Sequence, residues 1–276
     1  MQTYPVVLTI AGSDSGGGAG IQADLKTISA LGAFGTSAIT AITVQNTLGV
    51  RAIHSVPFDI LEGQIDAVMS DFDVKAIKVG MINHPEVPAI IARAIMKYKP
   101  MHVVVDPVMV ASSGDALIQE HAIEQLKTKL FPFADIITPN LNEASILLGK
   151  MITNPQDMKE AAKSIASLGC KSVLVKGGHL SENEMTDVLW IKEEEKAYYF
   201  SSPKINTKNL HGTGCSLSSA IATFLAFEEP LIMAVQHAKE YITQAIEAGK
   251  DVKIGHGNGA VNHFFNPQKL KIIDVK

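Results

Sequence analysis

Two glycine-rich segments of this 276-residue chain are the parts best suited to hold an anion. The first, Gly12-Ser13-Asp14-Ser15-Gly16-Gly17-Gly18-Ala19-Gly20, lies between the strand-like run Val6–Ile10 and a helical pattern. Glycine at that density lets backbone approach a small ligand closely; the plainer alternative is a tight turn. The second, His211-Gly212-Thr213-Gly214-Cys215-Ser216, opens a strongly amphipathic helix. Free N–H groups converge in a first helical turn and the dipole there favours an anion, so a phosphoryl group carrying developing charge is a natural guest. Cys215 falls in that turn, where the dipole is expected to lower its thiol pKa. An ordinary N-cap followed by a buried cysteine is the alternative.

Three further features sit where parallel strands are expected to end, the edge at which open α/β sheets bind ligands. Asp106 follows Val103–Val105, Asn140 and Glu143 stand three apart at a helix start, and Lys176 closes Ser172–Val175. A carboxylate, a carboxamide with a carboxylate, and an ammonium suit a magnesium triphosphate. Asn140 and Glu143 also read as the two halves of a capping box. Asp24, one turn into the helix after the first glycine cluster, is expected to point its carboxylate at the same strand ends; an exposed helix charge is the alternative.

The elements that must position these groups alternate along the chain. Short β-branched runs (6–10, 39–44, 52–56, 76–79, 103–105, 135–138 and 172–176) are separated by helical patterns at 21–31, 60–69, after Pro85, 118–130, 140–148 and 161–168. Runs around 185–191 and 197–201 flank a charged turn and predict a hairpin, and the last third is helical. Apolar strands flanked by helices predict a mostly parallel sheet covered on both faces, a three-layer α/β/α sandwich. With no repeat and no linker, a single domain spanning 1–276 is expected.

Composition excludes other classes. The chain is 46% hydrophobic and 19% charged, with a net charge of −4 and scattered basic residues; no basic stripe for nucleic acid is visible. No stretch approaches the roughly 20 apolar residues of a membrane helix. The two cysteines, Cys170 and Cys215, read as free thiols in a reducing compartment, and no signal peptide is apparent, so a soluble cytoplasmic protein is expected. Gly18-x-Gly20-x-x-Ala23 loosely matches a dinucleotide fingerprint, but residues 38–48 hold no acidic anchor for a ribose. No Gly-Lys-Ser/Thr follows the loop, so the Walker pattern fails as well.

Seven ordered motifs then resemble one family. They are the 12–20 cluster, Thr43-Val44-Gln45-Asn46-Thr47, Val79-Gly80-Met81, Asp106-Pro107-Val108-Met109, Thr138-Pro139-Asn140-Leu141-Asn142-Glu143-Ala144, Lys176-Gly177-Gly178-His179 and His211–Cys215. The resemblance is to the hydroxymethylpyrimidine/phosphomethylpyrimidine kinases of thiamine biosynthesis, in the ribokinase-like superfamily. It implies two ATP-dependent phosphorylations, first of 4-amino-5-hydroxymethyl-2-methylpyrimidine and then of its monophosphate. Gln45 matches the pyrimidine-binding glutamine; Gly12, Asp24 and Val44 fall in the implied substrate pocket, with Met81 and Val108 as walls. Asp106, Asn140 and Glu143 match phosphate and magnesium positions, with Asp106 and Glu143 as metal ligands, and Lys176 matches the nucleotide-phosphate side. The amides of Gly212, Thr213, Gly214 and Cys215 match the anion hole, and Cys215 stands where sugar kinases carry their aspartate base. Loops near 36–47 and 108–117 are expected to cover the site. The superfamily implies a homodimer; since the chain ends soon after the 255–263 segment, the thiamine-phosphate synthase domain fused in some relatives is expected to be absent. A pyridoxal kinase and a non-catalytic vitamin-binding protein are the competing readings.

Overall fold

The computed structural model describes residues 2–109, 120–177 and 184–274. In chain order the strands are β1 Gln2–Thr3, β2 Val6–Asp14, β3 Phe34–Asn46, β4 Gly49–Ser55, β5 Val74–Val79, β6 His102–Val105, β7 Ile136–Ile137, β8 Ser172–Val175, β9 Glu184–Ile191, β10 Lys196–Pro203 and β11 Ile273–Asp274. The α-helices are α1 Gly20–Ala30, α2 Phe58–Asp71, α3 Val87–Tyr98, α4 Glu120–Gln125, α5 Leu141–Leu148, α6 Pro155–Ala166, α7 Thr213–Ala226 and α8 Leu231–Gly249.

Among the described residues, nine strands form one sheet in the order β10-β9-β8-β7-β6-β5-β2-β3-β4. The six inner strands run parallel, and antiparallel pairing with β4 at one end and β9–β10 at the other closes the edges as hairpins. The apolar runs alternate between two cores, as a pleated strand buried on both faces must. Val103, Val105, Val173 and Val175 face a core shared with Leu61 of α2, Ile91 of α3, Leu147 of α5 and Ile165 of α6. Val104 and Leu174 face the other, against Ile28 of α1, Ile221 of α7 and Ala238 of α8. The expected three layers are therefore present. Parallel direction brings the ends of β2, β5, β6, β7 and β8 to one edge of the sheet.

Three local expectations change. The cover expected near 36–47 is strand as far as Asn46, in keeping with the run at 39–44: these residues belong to β3, which pairs with β2 as far as Thr43 and with β4 from Ala41 to Asn46. Of the other expected cover, 108–117, everything beyond Met109 lies outside the described residues, as do Gly178 and His179. The helix expected over 118–130 is α-helical only through Gln125; a wider turn, Leu126–Leu130, and a tighter one, Phe131–Phe133, follow, with Pro132 unable to continue the α ladder.

Candidate active site

A cavity of about 600 Å3 opens at that sheet edge, lined by both glycine clusters, by groups just past β5, β6 and β8, and by the start of α5. Its centre is Asp106, buried just past β6. Lys176, one residue past β8, places Nζ 2.7 Å from Asp106 Oδ1, to which the Thr138 hydroxyl also donates at 3.0 Å. Ser218 of α7 donates to Asp106 Oδ2 at 3.3 Å. Burial alone would raise this carboxyl; the ammonium groups of Lys176 and Lys78 outweigh it and hold the group below the usual range. Lys176 is in turn held charged, its burial being overcome by Asp106 and Glu143.

Asn140 and Glu143 form the capping box and also face the cavity, so both readings of the pair hold. Glu143 Oε2 accepts the Asn140 N–H at 2.7 Å and stands 4.0 Å from Lys176 Nζ. Burial, with the Asp106 charge beside it, pushes the Glu143 carboxyl up to about 7 against the pull of Lys176. Opposite lies the amino end of α7. Its N-cap, Gly212, has φ +82°, and a Cβ there would lie 1.8 Å from the Gly18 carbonyl oxygen, so only glycine lets the two loops touch. Thr213, Gly214 and Cys215 are the first three residues of the helix, whose N–H groups have no intrahelical acceptor, and all three line the cavity.

Gly12, Met81, Val108 and Gln45 also line the cavity. Gln45 Oε1 accepts from the Thr43 hydroxyl at 3.0 Å, and its Nε2 lies 3.5 Å from His211 Nε2.

Three expectations are corrected. Val44 does not line the cavity: Thr43 and Gln45 turn inward on β3, so the residue between them turns out and is 55% exposed. Asp24 does not reach the strand ends either. Facing the sheet from α1, it is wholly buried and accepts both Lys78 Nζ contacts at 2.9 Å, the Thr9 hydroxyl at 2.6 Å and the Ser219 hydroxyl at 2.7 Å. Third, the Cys215 thiol is pushed up to about 11, not lowered. Desolvation by burial outweighs the charge of Lys78 and the Gly20 N–H, and the nearby Asp24 and Asp106 carboxylates add to the rise.

Sequence reasoning also missed two side-chain pairs that line the cavity. His211 Nε2 sits 2.9 Å from Asp14 Oδ2, and the Asp14 carboxylate also accepts the N–H groups of Gly16, Gly18 and Ala19. Burial alone would raise Asp14; His211 and those amides outweigh it and hold it low. Lys239 of α8 donates to Asp187 of β9 at 2.7 Å, and Asp187 also accepts the Gly177 N–H at 2.9 Å. The available signal was a carboxylate inside an apolar strand and a lysine on the apolar face of an amphipathic helix.

A helix amino terminus facing a clamped lysine and two carboxylates, at the carboxyl edge of a doubly covered parallel sheet, defines a ribokinase-like small-molecule phosphotransferase. The phosphomethylpyrimidine kinase family profile matches residues 14–262. The chain is 50% identical to the hydroxymethylpyrimidine/phosphomethylpyrimidine kinase of Rhizobium meliloti over 94% of its own length and 97% of that protein. It is 48% identical to a thiamine biosynthesis bifunctional protein of Geobacter sulfurreducens, covering 96% of this chain but only 53% of that longer one. A Bacillus subtilis pyridoxal kinase solved as an ADP complex superimposes with a TM-score of 0.87 at 35% identity, over 95% of this chain and 98% of that one. The chain belongs to the phosphomethylpyrimidine kinase family.

Two outcomes follow from the geometry. Lys78→Met leaves Asp24 as an uncompensated buried charge and lowers stability by roughly 3–5 kcal/mol in urea unfolding; a loss under about 1 kcal/mol would mean the pair is not buried as described. In a Cys170→Ala background, iodoacetamide labels Cys215 at neutral pH at least about a hundredfold more slowly than a free thiol and faster as pH climbs toward 11; rapid labelling at neutral pH contradicts the raised pKa.

Proposed function

We propose that the protein uses ATP to phosphorylate 4-amino-5-hydroxymethyl-2-methylpyrimidine and then the resulting monophosphate, two successive steps of thiamine biosynthesis. The observation that carries this reading is one continuous cavity with two chemistries. The Gln45, Met81 and Val108 end is an apolar slot with a carboxamide able to donate and accept at a ring edge; the Lys176, Asp106 and Gly212–Cys215 end suits phosphate. The pyrimidine hydroxymethyl oxygen attacks the γ-phosphorus in line, a P–O bond forms as the bond to ADP breaks, and the hydroxyl proton leaves. In the second round a phosphate oxygen of the monophosphate is the attacking atom.

Lys176 balances charge on the transferred group, and the Gly212–Cys215 amides stabilise it in the transition state. Cys215 is the group proposed to take the hydroxyl proton. With its thiol near 11, Cys215 holds its own proton at rest, so the small thiolate fraction present at neutral pH is the species that takes the hydroxyl proton. Asp106 and Glu143 are oxygen donors that suit Mg2+, which keeps several waters and binds through one or two carboxylates and phosphates. Asp106 Oδ2, which among the described residues accepts a long serine contact at 3.3 Å, retains lone pairs for it. When bound, Mg2+ neutralises phosphate charge. The unpaired cysteines support a reducing, cytoplasmic setting, and the exposed apolar Ile42, Val44 and Leu48 of the β3–β4 hairpin support a homodimer.

The likeness to pyridoxal kinases favours one second reading, pyridoxal as acceptor. An ADP-release assay with MgATP compares the pyrimidine, its monophosphate and pyridoxal. Turnover of both pyrimidines well above pyridoxal is expected; turnover of pyridoxal alone overturns the substrate. Asp106→Asn and Lys176→Ala each lower kcat by about 10²–10³-fold, with pyrimidine binding by calorimetry retained. Gln45→Ala raises the pyrimidine KM about tenfold, and full activity in Cys215→Ser removes its role as base.

A further inference from the structure

The segment from Gly255 to His263 has no regular structure, yet it lies against both ends of the cavity. His256 and Gly257 donate backbone N–H groups to Thr47 Oγ1 at 3.2 and 3.1 Å, and Asn258 donates to the Thr47 carbonyl at 3.0 Å. A Cβ on Gly257 would lie 2.0 Å from that carbonyl oxygen, so the approach requires glycine. Thr47 follows β3 two residues after Gln45. Further along, the His211 N–H donates to the Gly259 carbonyl at 3.0 Å.

At the segment's end His263 is 4% exposed, and its Nε2 lies 3.0 Å from Ser216 Oγ. Ser216 Oγ itself donates to the Gly212 carbonyl at 2.8 Å. A hydroxyl has one proton: when it goes to the Gly212 carbonyl, which also accepts the Ser216 N–H at 2.9 Å, His263 Nε2 is the donor to Ser216 Oγ. Burial, with the Lys26 charge, holds the imidazole down to about 4, so the ring is neutral at neutral pH. Helix α8 pins the segment from behind: the Tyr241 hydroxyl donates to the His263 carbonyl and the Asn262 N–H to the Ala245 carbonyl, both at 3.0 Å.

We propose that His263 is a positioning residue for phosphoryl transfer: through Ser216 it fixes the Gly212 turn and hence the aim of the α7 amides, while the same segment, through Thr47, fixes the hairpin that carries Gln45. The inference rests on the phosphoryl-stabilising role proposed above for Gly212–Cys215. It predicts opposite kinetic signatures at the two ends. His263→Leu and Ser216→Ala each lower kcat about tenfold at nearly unchanged pyrimidine KM, and the double variant is no slower than the worse single one. His263→Gln, whose amide can donate at the same place, recovers most of kcat. Thr47→Val does the reverse, raising the pyrimidine KM at nearly unchanged kcat.

Steady-state kinetics of these variants with ATP saturating decide it. Multiplying losses in the double variant, glutamine no better than leucine, or Ser216→Ala at wild-type kcat would each overturn the inference. Should His263→Leu fail to fold, Ser216→Ala, which deletes one oxygen, and His263→Gln test the same coupling. A wild type that turns over neither pyrimidine overturns the underlying functional reading instead, and this inference with it.

Discussion

The arrangement depends on a single carboxylate. Asp106 is buried at the end of β6 and tied by Lys176 past β8, Thr138 past β7 and Ser218 of α7. A buried charge is tolerable only when paired and hydrogen-bonded, so these elements must arrive together or the charge is stranded. The same requirement brings the amino end of α7, whose first N–H groups have no intrahelical acceptor, over the strand edge where a phosphate would lie. Stability and chemistry therefore draw on the same contacts.

A second, wholly buried pair lies behind the first. Asp24 and Lys78 join α1 to β5, with Thr9 of β2 and Ser219 of α7 completing the carboxylate's hydrogen bonds. Lys78 also lowers the Asp106 carboxyl and offsets part of the rise at Cys215. The net result is a thiol that stays protonated at rest beside a carboxylate that stays ionised. A phosphoryl-transfer site tolerates this, because loose transition states ask more of charge placement than of a strong base.

Much of this is legible in the sequence, for physical reasons. Strands buried on both faces read as unbroken Val and Ile runs, and glycine at strand-to-helix corners marks where loops approach closely, so the three layers, Asp106, Lys176 and the Gly212–Cys215 turn all emerge from local pattern. What escapes depends on pairing across long separations. Asp24 reads as a site carboxylate until Lys78, 54 residues away, claims it. Asp14 and His211 sit 197 residues apart. The side of β3 that faces inward is set by its neighbours β2 and β4, so the resemblance misplaces Val44; the run 39–44 does read as a strand, and what pairing across the sheet removes is the cover expected near 36–47. The Cys215 thiol rises because burial, invisible in sequence, outweighs the charge of Lys78.

The central claim is that one cavity transfers phosphoryl groups to the same pyrimidine twice. The most direct measurement is the ADP released per pyrimidine consumed, followed with the product distribution over time, for wild type and Asp106→Asn. The account predicts two ADP per pyrimidine, a monophosphate that rises and then falls, and both steps slowed by a similar factor in the variant. One ADP per pyrimidine, or a variant that slows only one step, would contradict a single shared site.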